Sequence, residues 1–238
     1  MASEAGRREG AVIDTGLLRR VPLFQNFSAQ QLGDVARLVK IRRFGKHEMV
    51  VREGDPGEAF YVILGGSVAV VRTASDGRET ILSILKDQDF FGEMSVLDTS
   101  TRSASVRAMT NVVLGVIERE PFLDLIDHTP GIGRLLVIAL SERLRAANKL
   151  ITSTTSQDIR SRLASLLLDL MQSFGEPTDT GTRISLRLTN QELANMIGTT
   201  RETVNRTLNR FWDEHMIDMR TTHIVLTDLE KLRGLTLV

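Results

Sequence analysis

The chain has 238 residues, of which 42% are hydrophobic and 25% charged, a composition typical of a soluble chain with one or two packed domains. It contains no cysteine, which excludes disulfides, thiolate zinc sites, Cys-ligated iron–sulfur clusters and cysteine nucleophiles, and we expect a cytoplasmic location. The 30 basic and 30 acidic side chains balance, so binding to nucleic acid has to be argued from local patterns and not from net charge.

The N-terminal residues 1–16 are polar and lack the continuous hydrophobic run of a signal peptide, so we predict an N-terminal arm. No run in the chain reaches the roughly 18 apolar residues of a membrane span. We therefore expect no membrane partner.

A short amphipathic helix is predicted over residues 28–39. Ser28 and Gln31 have the spacing of a capping box, in which each side chain bonds to the backbone N–H of the other residue. Apolar residues then recur on one helical face, at Leu32, Val35, Leu38 and Val39.

Between Ile41 and Glu118 the pattern changes to brief runs rich in β-branched residues, with turns between them. The runs are MVV at 49–51, FYVIL at 60–64, SVAVV at 67–71, TILSIL at 80–85, ASVRAM at 104–109 and VVLGVI at 112–117. Several short strands at this spacing predict an antiparallel β-roll, or jelly roll, with flanking helices. We assign this β-domain to residues 17–129.

A long helix is predicted after Pro130, over roughly 131–152. One apolar stripe alternates three- and four-residue steps, as in a coiled-coil seam, and consists of Val137, Leu140, Leu144, Ala147 and Ile151. A second stripe consists of Leu135, Leu136 and Ala139. Two stripes predict a helix that packs on its own β-domain and pairs with a second copy of the chain, as in a homodimer. A core helix in a monomer is the alternative.

The polar stretch Thr152–Ser156 is interpreted as a hinge. The dimerisation helix and hinge are therefore assigned to residues 130–154, and a C-terminal domain to 155–238.

The most specific local signal lies at residues 189–212. Thr189 with Glu192, and Thr199 with Glu202, have capping-box spacing, which predicts two helices that begin at about 190 and 200. Gly198 between them can adopt the positive φ of a tight turn. This is the pattern of a helix-turn-helix. Its shared core is predicted to contain Leu193, Ala194, Ile197, Val204 and Leu208.

Polar side chains at the start of the second helix indicate DNA recognition, because a helix N-terminus in the major groove brings its first side chains to base edges. Over residues 183–210 there are five arginines and two glutamates, a local charge of +3. The stretch 222–228 is read as a strand that closes a wing. We assign the DNA contacts to Thr199, Arg201, Glu202, Asn205 and Arg206.

A second motif lies between two predicted strands, where FGEMSVL at 91–97 is followed by Arg102-Ser103-Ala104. Gly92 permits close backbone approach, amides at a short helix start attract an anion, and Arg102 can bond a phosphodiester with two N–H groups. A carboxylate repels phosphate, so Glu93 suits a sugar hydroxyl instead. A glycine turn with a Glu93–Arg102 ion pair is the alternative.

The β-roll, the GEM-to-RSA cassette at 92–104, the long helix and the RETVNR helix at 201–206 follow one another in an order that resembles the superfamily of bacterial transcription regulators that includes the cyclic-AMP receptor protein and FNR. The resemblance covers residues 18–233 or so. It implies an α+β homodimer with a cyclic-nucleotide pocket in each β-roll, a long dimerisation helix and a C-terminal winged helix-turn-helix. Double-stranded DNA and RNA polymerase are the implied partners.

The resemblance also implies residue roles. Arg102 and Ser103, with the backbone amides of Met94 and Ser95 beside Gly92, would hold the cyclic phosphate, and Glu93 would hold the ribose 2′-hydroxyl. Arg201, Glu202 and Arg206 would read a half-site resembling TGTGA in an inverted repeat.

The chain departs from the family pattern on the long helix, where members that use cyclic AMP tend to have Thr followed by Ser or Asn, and this chain has Ala147-Asn148. Contact with the base then rests on Asn148. Cyclic AMP is the expected ligand, and cyclic GMP, a cyclic dinucleotide and a regulator without a small-molecule effector stay open. Thr101 also replaces the proline that is common before the cassette arginine.

Three other classes of protein fit the sequence poorly. The missing cysteines exclude the iron–sulfur branch of the family. A haem-sensing branch and a cupin-type metal enzyme both call for paired histidines, and the four histidines show no such arrangement: His47, His128, His215 and His223. We expect no metal, no cofactor and no enzymatic activity.

Overall fold

The computed structural model of the chain describes residues 13–129, 131–156 and 158–236, without the side chains of 149–156. The chain divides into two compact units, Met1–Arg143 and Leu144–Val238. Most of the predicted N-terminal arm lies outside the described residues. Its last two residues are not part of an arm, because Thr15 and Gly16 form the first turn of a helix that Asp14 caps.

The first unit contains a two-sheet β-roll. Its strands are β1 Lys40–Phe44, β2 Met49–Val51, β3 Ala59–Gly65, β4 Ser67–Thr73, β5 Glu79–Lys86, β6 Phe90–Phe91, β7 Ser105–Ala108 and β8 Val112–Glu118. All pairings are antiparallel, and the two sheets have the orders β1-β8-β3-β6 and β2-β7-β4-β5. The predicted β-roll is therefore confirmed, and all six predicted runs are strands.

Short helices flank the roll: α1 Thr15–Arg19, α2 Ala29–Leu38, α3 Glu93–Leu97 and α4 Arg119–His128, with a 3₁₀ turn at Pro22–Phe24. The predicted capping box of α2 is confirmed, since Ser28 and Gln31 each accept from the other's backbone N–H. The helices cover one apolar cluster, in which the rings of Phe60 and Phe122 stack with centroids 3.9 Å apart. A second cluster fills the space between the sheets around Ile63, Val106 and Leu114.

The long helix α5 spans Ile132–Ser156. Leu136 is buried, and Leu135 and Ala139 are partly buried against the same cluster as α4, so the inner stripe packs on the β-domain as predicted. The predicted hinge is wrong, because Thr152–Ser156 forms the last turn of α5. Serine and threonine weaken a helix far less than glycine or proline does, and this stretch contains neither.

The second unit is built from helices and one small sheet. Its elements are α6 Ile159–Phe174, β9 Gly175–Thr178, β10 Gly181–Ile184, α7 Asn190–Ile197, α8 Arg201–Asp213, β11 Ile217–Asp218, β12 Val225–Leu226 and α9 Leu229–Gly234. The strands pair in the order β11-β12-β10-β9 and form the wing beside α7 and α8. Within the stretch 222–228, which was predicted as a wing strand, only the two residues of β12 form a strand. The hairpin β9–β10 was not predicted from the sequence.

Candidate functional site

The cassette between β6 and β7 is built around a left-handed glycine. Gly92 has a φ of 86° and precedes α3. A Cβ at this position would lie 2.6 Å from Arg102 Nη1 and 3.0 Å from the carbonyl oxygen of Ala59. Only glycine therefore allows the cassette backbone to approach the arginine this closely.

Arg102 is buried, with 5% of its surface exposed, and its guanidinium is held by the protein. Nη1 donates to Gly92 O at 3.0 Å and to Ser95 Oγ at 2.8 Å, and Nη2 donates to Ala59 O at 2.6 Å. Burial lowers the pKa of Arg102 from its ordinary value, but a guanidinium stays charged at neutral pH. Its Nε–H is buried and has no partner among the described residues.

Glu93 is also buried, with 1% of its side chain exposed. Its Oε1 accepts from Nη1 of Arg143 on α5, and Nη2 of the same arginine donates to Phe90 O. The other oxygen, Oε2, is buried without a partner among the described residues. The alternative ion pair between Glu93 and Arg102 is wrong, because the carboxylate pairs with Arg143 and the Arg102 guanidinium bonds carbonyl and hydroxyl oxygens.

Arg143 was not predicted as a site residue. A sequence signal existed, since Arg143 lies one helical turn before Ala147, the position at which the family pattern places a base contact. Its pairing with Glu93 joins residues 50 positions apart, which only the tertiary structure determines.

The structure brings six of the seven predicted ligand residues together. Ser95 is buried against Arg102, and Ser103 is exposed, with its Oγ 4.0 Å from the sulfur of Met94. Gly92, Glu93 and Arg102 complete the group. The seventh residue, Asn148, lies on α5 in the second unit and is exposed.

A loop before β3 holds the cassette in place. The backbone N–H of Arg102 donates to Asp55 O at 2.8 Å, and that of Gly54 donates to Arg102 O at 2.9 Å. A Cβ at Gly57 would lie 2.4 Å from Ser95 Cβ. The positions of Arg102 and Ser95 are therefore set from both sides.

The site combines two buried groups of opposite character that lack partners, the Nε–H donor of Arg102 and the Oε2 acceptor of Glu93. An unsatisfied buried donor or acceptor destabilises a fold unless a ligand or water completes it. A small molecule that carries an anionic oxygen and a hydroxyl group would satisfy both.

The helix-turn-helix of the second unit is confirmed. Thr189 and Glu192 form the predicted capping box, and Gly198 has a φ of 65°. The second capping box is wrong by one residue. Thr200 caps α8, with its Oγ1 accepting from Thr203 N at 3.3 Å, while Thr199 donates its backbone N–H to Ala194 O within the turn.

The predicted core and the predicted surface of this motif separate cleanly. The five core residues are buried: Leu193, Ala194, Ile197, Val204 and Leu208. The predicted contact residues Arg201, Glu202, Asn205 and Arg206 are exposed on α8, and Thr199 is half-buried. Asn205 accepts from Asn190 Nδ2 at 3.1 Å. Arg201, Glu202 and Arg206 make no hydrogen bond or ion pair with the described residues, so they are free to meet a partner.

The predicted seam of α5 leaves apolar surface uncovered. Val137 and Leu144 are 62% and 63% exposed, Ala147 is exposed and Leu140 is half-buried. The side chain of Ile151 lies outside the described residues. Ile138, which was not assigned to the seam, is 43% exposed.

Within the described residues, no helix has the length and apolar character needed to cross a membrane, and no three metal-binding side chains come together.

Two family models match the chain. A cyclic nucleotide-binding domain matches residues 41–129, and a Crp-like helix-turn-helix domain matches residues 161–235. The first covers the cassette and the second covers α7 and α8.

The chain is also similar to curated and solved proteins over most of its length. It is 32% identical to a CRP-like cAMP-activated global transcriptional regulator of Mycobacterium tuberculosis, over 91% of this chain and 96% of that protein. It is 30% identical to a global nitrogen regulator of Synechocystis, over 90% of this chain and 95% of that protein. The structure of the c-di-GMP-responsive regulator CLP of Xanthomonas campestris matches with a TM-score of 0.71 and 28% identity, over 84% of this chain and 99% of that one.

Proposed function

Because the chain belongs to the CRP/FNR superfamily of transcription regulators, we propose that it is a homodimer that binds cyclic AMP in each β-roll and then binds a palindromic DNA site. The matching models are a cyclic nucleotide-binding domain and a Crp-like helix-turn-helix domain, and the relatives reported above are transcription regulators, not enzymes.

The observation that carries the nucleotide proposal is the pair of unsatisfied groups in the cassette. A cyclic phosphate presents anionic oxygens to Arg102, with Ser103 and the amides of Met94 and Ser95 around it. The ribose 2′-hydroxyl is the donor that Oε2 of Glu93 lacks. One ligand thus satisfies both buried groups.

Cyclic AMP is the proposed nucleotide because the M. tuberculosis relative is described as cAMP-activated. Ala147 offers no hydrogen-bonding side chain, so the base would be recognised through Asn148. Cyclic GMP and a cyclic dinucleotide are the competing ligands, the latter because CLP is described as c-di-GMP-responsive.

The homodimer is supported by the predicted seam of α5, which forms the outer apolar stripe of this helix. Val137, Ile138 and Leu144 form an exposed apolar surface along one helix, which is typical of an interaction site, and the heptad-like spacing of the seam suits a second copy of the same helix. A two-fold dimer presents two α8 helices, which suits a palindrome whose half-sites lie one helical turn apart. We propose TGTGA-like half-sites read by Arg201, Glu202 and Arg206.

Control of DNA binding is proposed to follow from differential affinity. Cyclic AMP shifts the dimer toward the DNA-binding state only if it binds that state more tightly. Arg143 connects Glu93 to α5 and so offers a route from the ribose site to the seam. Contact with RNA polymerase is part of the proposal.

The direct test is titration calorimetry of the purified chain with cyclic AMP, cyclic GMP and cyclic di-GMP. We expect cyclic AMP to bind most tightly, and DNA binding measured by fluorescence anisotropy to strengthen in its presence. Equal affinity for DNA with and without cyclic AMP would reject cyclic AMP as the effector. Tighter binding of another nucleotide would reassign the ligand.

A further inference from the structure

Two arginines in the first turn of α6 contact residues on either side of the recognition helix α8, Ile197 at the end of α7 and Glu214 at the C-cap of α8. The direction of this turn is set by Asp158, whose Oδ1 accepts from Ser161 N at 2.7 Å. Arg160 and Arg162 lie on either side of Ser161 and point to different elements. Neither arginine was assigned a role from the sequence.

Arg162 holds the turn that leads into α8. Its Nη1 donates to Ile197 O at 2.8 Å. Ile197 is the last residue of α7, where carbonyl groups lack partners within the helix and a nearby cation is favourable. The next residue is Gly198, so Arg162 fixes the point from which α8 starts.

Arg160 holds the C-terminal end of α8. Its Nη2 donates at 2.7 Å to Oε2 of Glu214, the C-cap residue of α8, and its guanidinium carbon lies 5.8 Å from the ring centroid of Phe211. The other carboxylate oxygen accepts from Arg210 Nε at 2.9 Å. Hydrogen bonds from Arg210 and Arg160 hold the pKa of Glu214 below its ordinary value, so this carboxylate is charged at neutral pH.

Each of these arginines also carries a buried donor that no described residue satisfies. The Nε–H groups of Arg160 and Arg162 are both buried without a partner among the described residues. A buried donor without a partner is unfavourable unless a water or ligand completes it, and this offsets part of what the hydrogen bonds to Ile197 and Glu214 contribute. Sites that are locally unfavourable in this way are often functional.

We propose that Arg160 and Arg162 are positioning residues that fix the end of α7, just before the turn into α8, and the C-cap of α8 to the first turn of α6. The 13 residues of α8 span about 20 Å and lie in the chain between these two attachments, which together determine the direction of the helix axis. A displacement of the first turn of α6 is therefore passed to α8 as a whole. The inference rests on the proposed reading of DNA by α8.

The rival role for Arg160 is a contact to a DNA phosphate. Substitution of Glu214 distinguishes this role from the positioning of α8. If Arg160 bonds phosphate, Glu214→Gln removes a competing anion and operator binding stays the same or strengthens. If Arg160 positions α8, Glu214→Gln and Arg160→Gln both weaken it. Loss of a phosphate contact also lowers the salt dependence of binding by about one unit of slope, whereas misplacement of α8 leaves the phosphate count unchanged.

The experiment uses a duplex selected from a random pool by the full wild-type chain with cyclic AMP, so that it does not depend on the proposed half-site. Affinity, its salt slope and the ratio to non-specific DNA are measured by anisotropy for Arg160→Gln, Glu214→Gln, the double variant and Arg162→Met. Arg160→Lys is the conservative variant. The matched control is Lys231→Gln on α9, which breaks the ion pair of Lys231 with the N-cap residue Asp228. Circular dichroism and Tm confirm that each variant is folded.

We expect Arg160→Gln, Glu214→Gln and Arg162→Met each to weaken specific binding roughly 3- to 30-fold with an unchanged salt slope. The double variant should be no worse than either single change, and Arg160→Lys and Lys231→Gln should stay within about twofold of wild type. A lowered Tm with wild-type affinity overturns the proposal, and so does a stronger complex with Glu214→Gln. If the wild-type chain selects no duplex, the proposed DNA recognition itself is refuted. A result that contradicts the proposal only in the variants leaves DNA recognition intact.

Discussion

Arg143 on α5 donates to the buried carboxylate of Glu93, the residue that follows the cassette glycine. The same guanidinium donates to Phe90 O and lies 5.1 Å from the Phe90 ring centroid. The long helix is thus attached to the cassette at the residue proposed to bind the ribose. A ligand that bonds Glu93 changes the environment of a group on α5 directly.

Replacing Arg143 by Gln is expected to reduce the response to cyclic AMP. The change leaves the Glu93 carboxylate buried without its cation, which destabilises the site. We expect weaker nucleotide binding and a ratio of operator affinities, with and without cyclic AMP, closer to one. Arg145→Gln on the exposed surface of α5 is the control. A wild-type ratio in Arg143→Gln would show that the attachment is only structural.

Replacing Arg102 by Gln is expected to weaken cyclic AMP binding at least about tenfold, since a hydrogen bond to a charged group is worth about 1.5–3 kcal/mol. Calorimetry measures the effect. The control is Arg107→Gln, which removes another partly buried arginine of the roll, paired with Glu79 at 2.9 Å. It should lower Tm and leave nucleotide affinity unchanged. Normal affinity in Arg102→Gln contradicts the cassette assignment.

Alanine substitutions at Gly77 and Gly92 distinguish the cost of a left-handed backbone from the cost of a close contact with a new Cβ. Gly77 and Gly92 have φ values of 82° and 86°, but no heavy atom lies within 4 Å of a Cβ at Gly77. Gly77→Ala should therefore cost only the left-handed conformation, about 1–2 kcal/mol in the free energy of unfolding. Gly92→Ala should cost more and also displace Arg102, so nucleotide binding is lost. Equal effects in denaturation and calorimetry would argue against a close approach at Gly92.

Charge on the outer stripe of α5 is expected to separate the dimer. Leu144→Glu places a carboxylate in the proposed seam, where burial against a second copy is unfavourable. Analytical ultracentrifugation should show a monomer with intact secondary structure. Arg134→Glu, at an exposed position on the same helix, should remain dimeric. A dimeric Leu144→Glu variant would place the interface elsewhere.

Arg206→Ala is expected to weaken operator binding by about 1–3 kcal/mol and to relax the preference at one base pair of each half-site. Arg206 is exposed and has no partner among the described residues, so its removal should leave Tm nearly unchanged. Binding to a set of single-base variants of the operator measures both effects. A uniform loss across all of them would identify a phosphate contact instead.

Sequence patterns predicted the elements whose signals are local. The capping boxes at Ser28 and Thr189 were located correctly because both partners lie within one helical turn. The start of α8 was placed one residue early, since Thr199 and Thr200 are adjacent and both can cap. The turn made by Gly198 decides between them, and it brings Thr200 to the cap.

Features that depend on partners far away in the chain were not predicted from the sequence. β1 carries the charged run KIRRF, and its pairing with β8 makes it a strand despite that composition. β9 contains the sequence GEPT and depends in the same way on β10. In the cassette, the ligand-binding residue types could be predicted from the sequence. The pairing of Glu93 with Arg143 could not, because it depends on where α5 packs. Local chemistry was therefore predictable, and its partners were not.

The boundary between the two compact units falls between Arg143 and Leu144, inside α5 and not in a loop. A chimeric regulator joined here would have to preserve the helical phase of the junction. One inserted residue rotates everything that follows by about 100° and advances it by about 1.5 Å, whereas seven residues nearly restore the original orientation. Whether an insertion or deletion at this junction is tolerated should consequently depend on the number of residues and not on which residues they are.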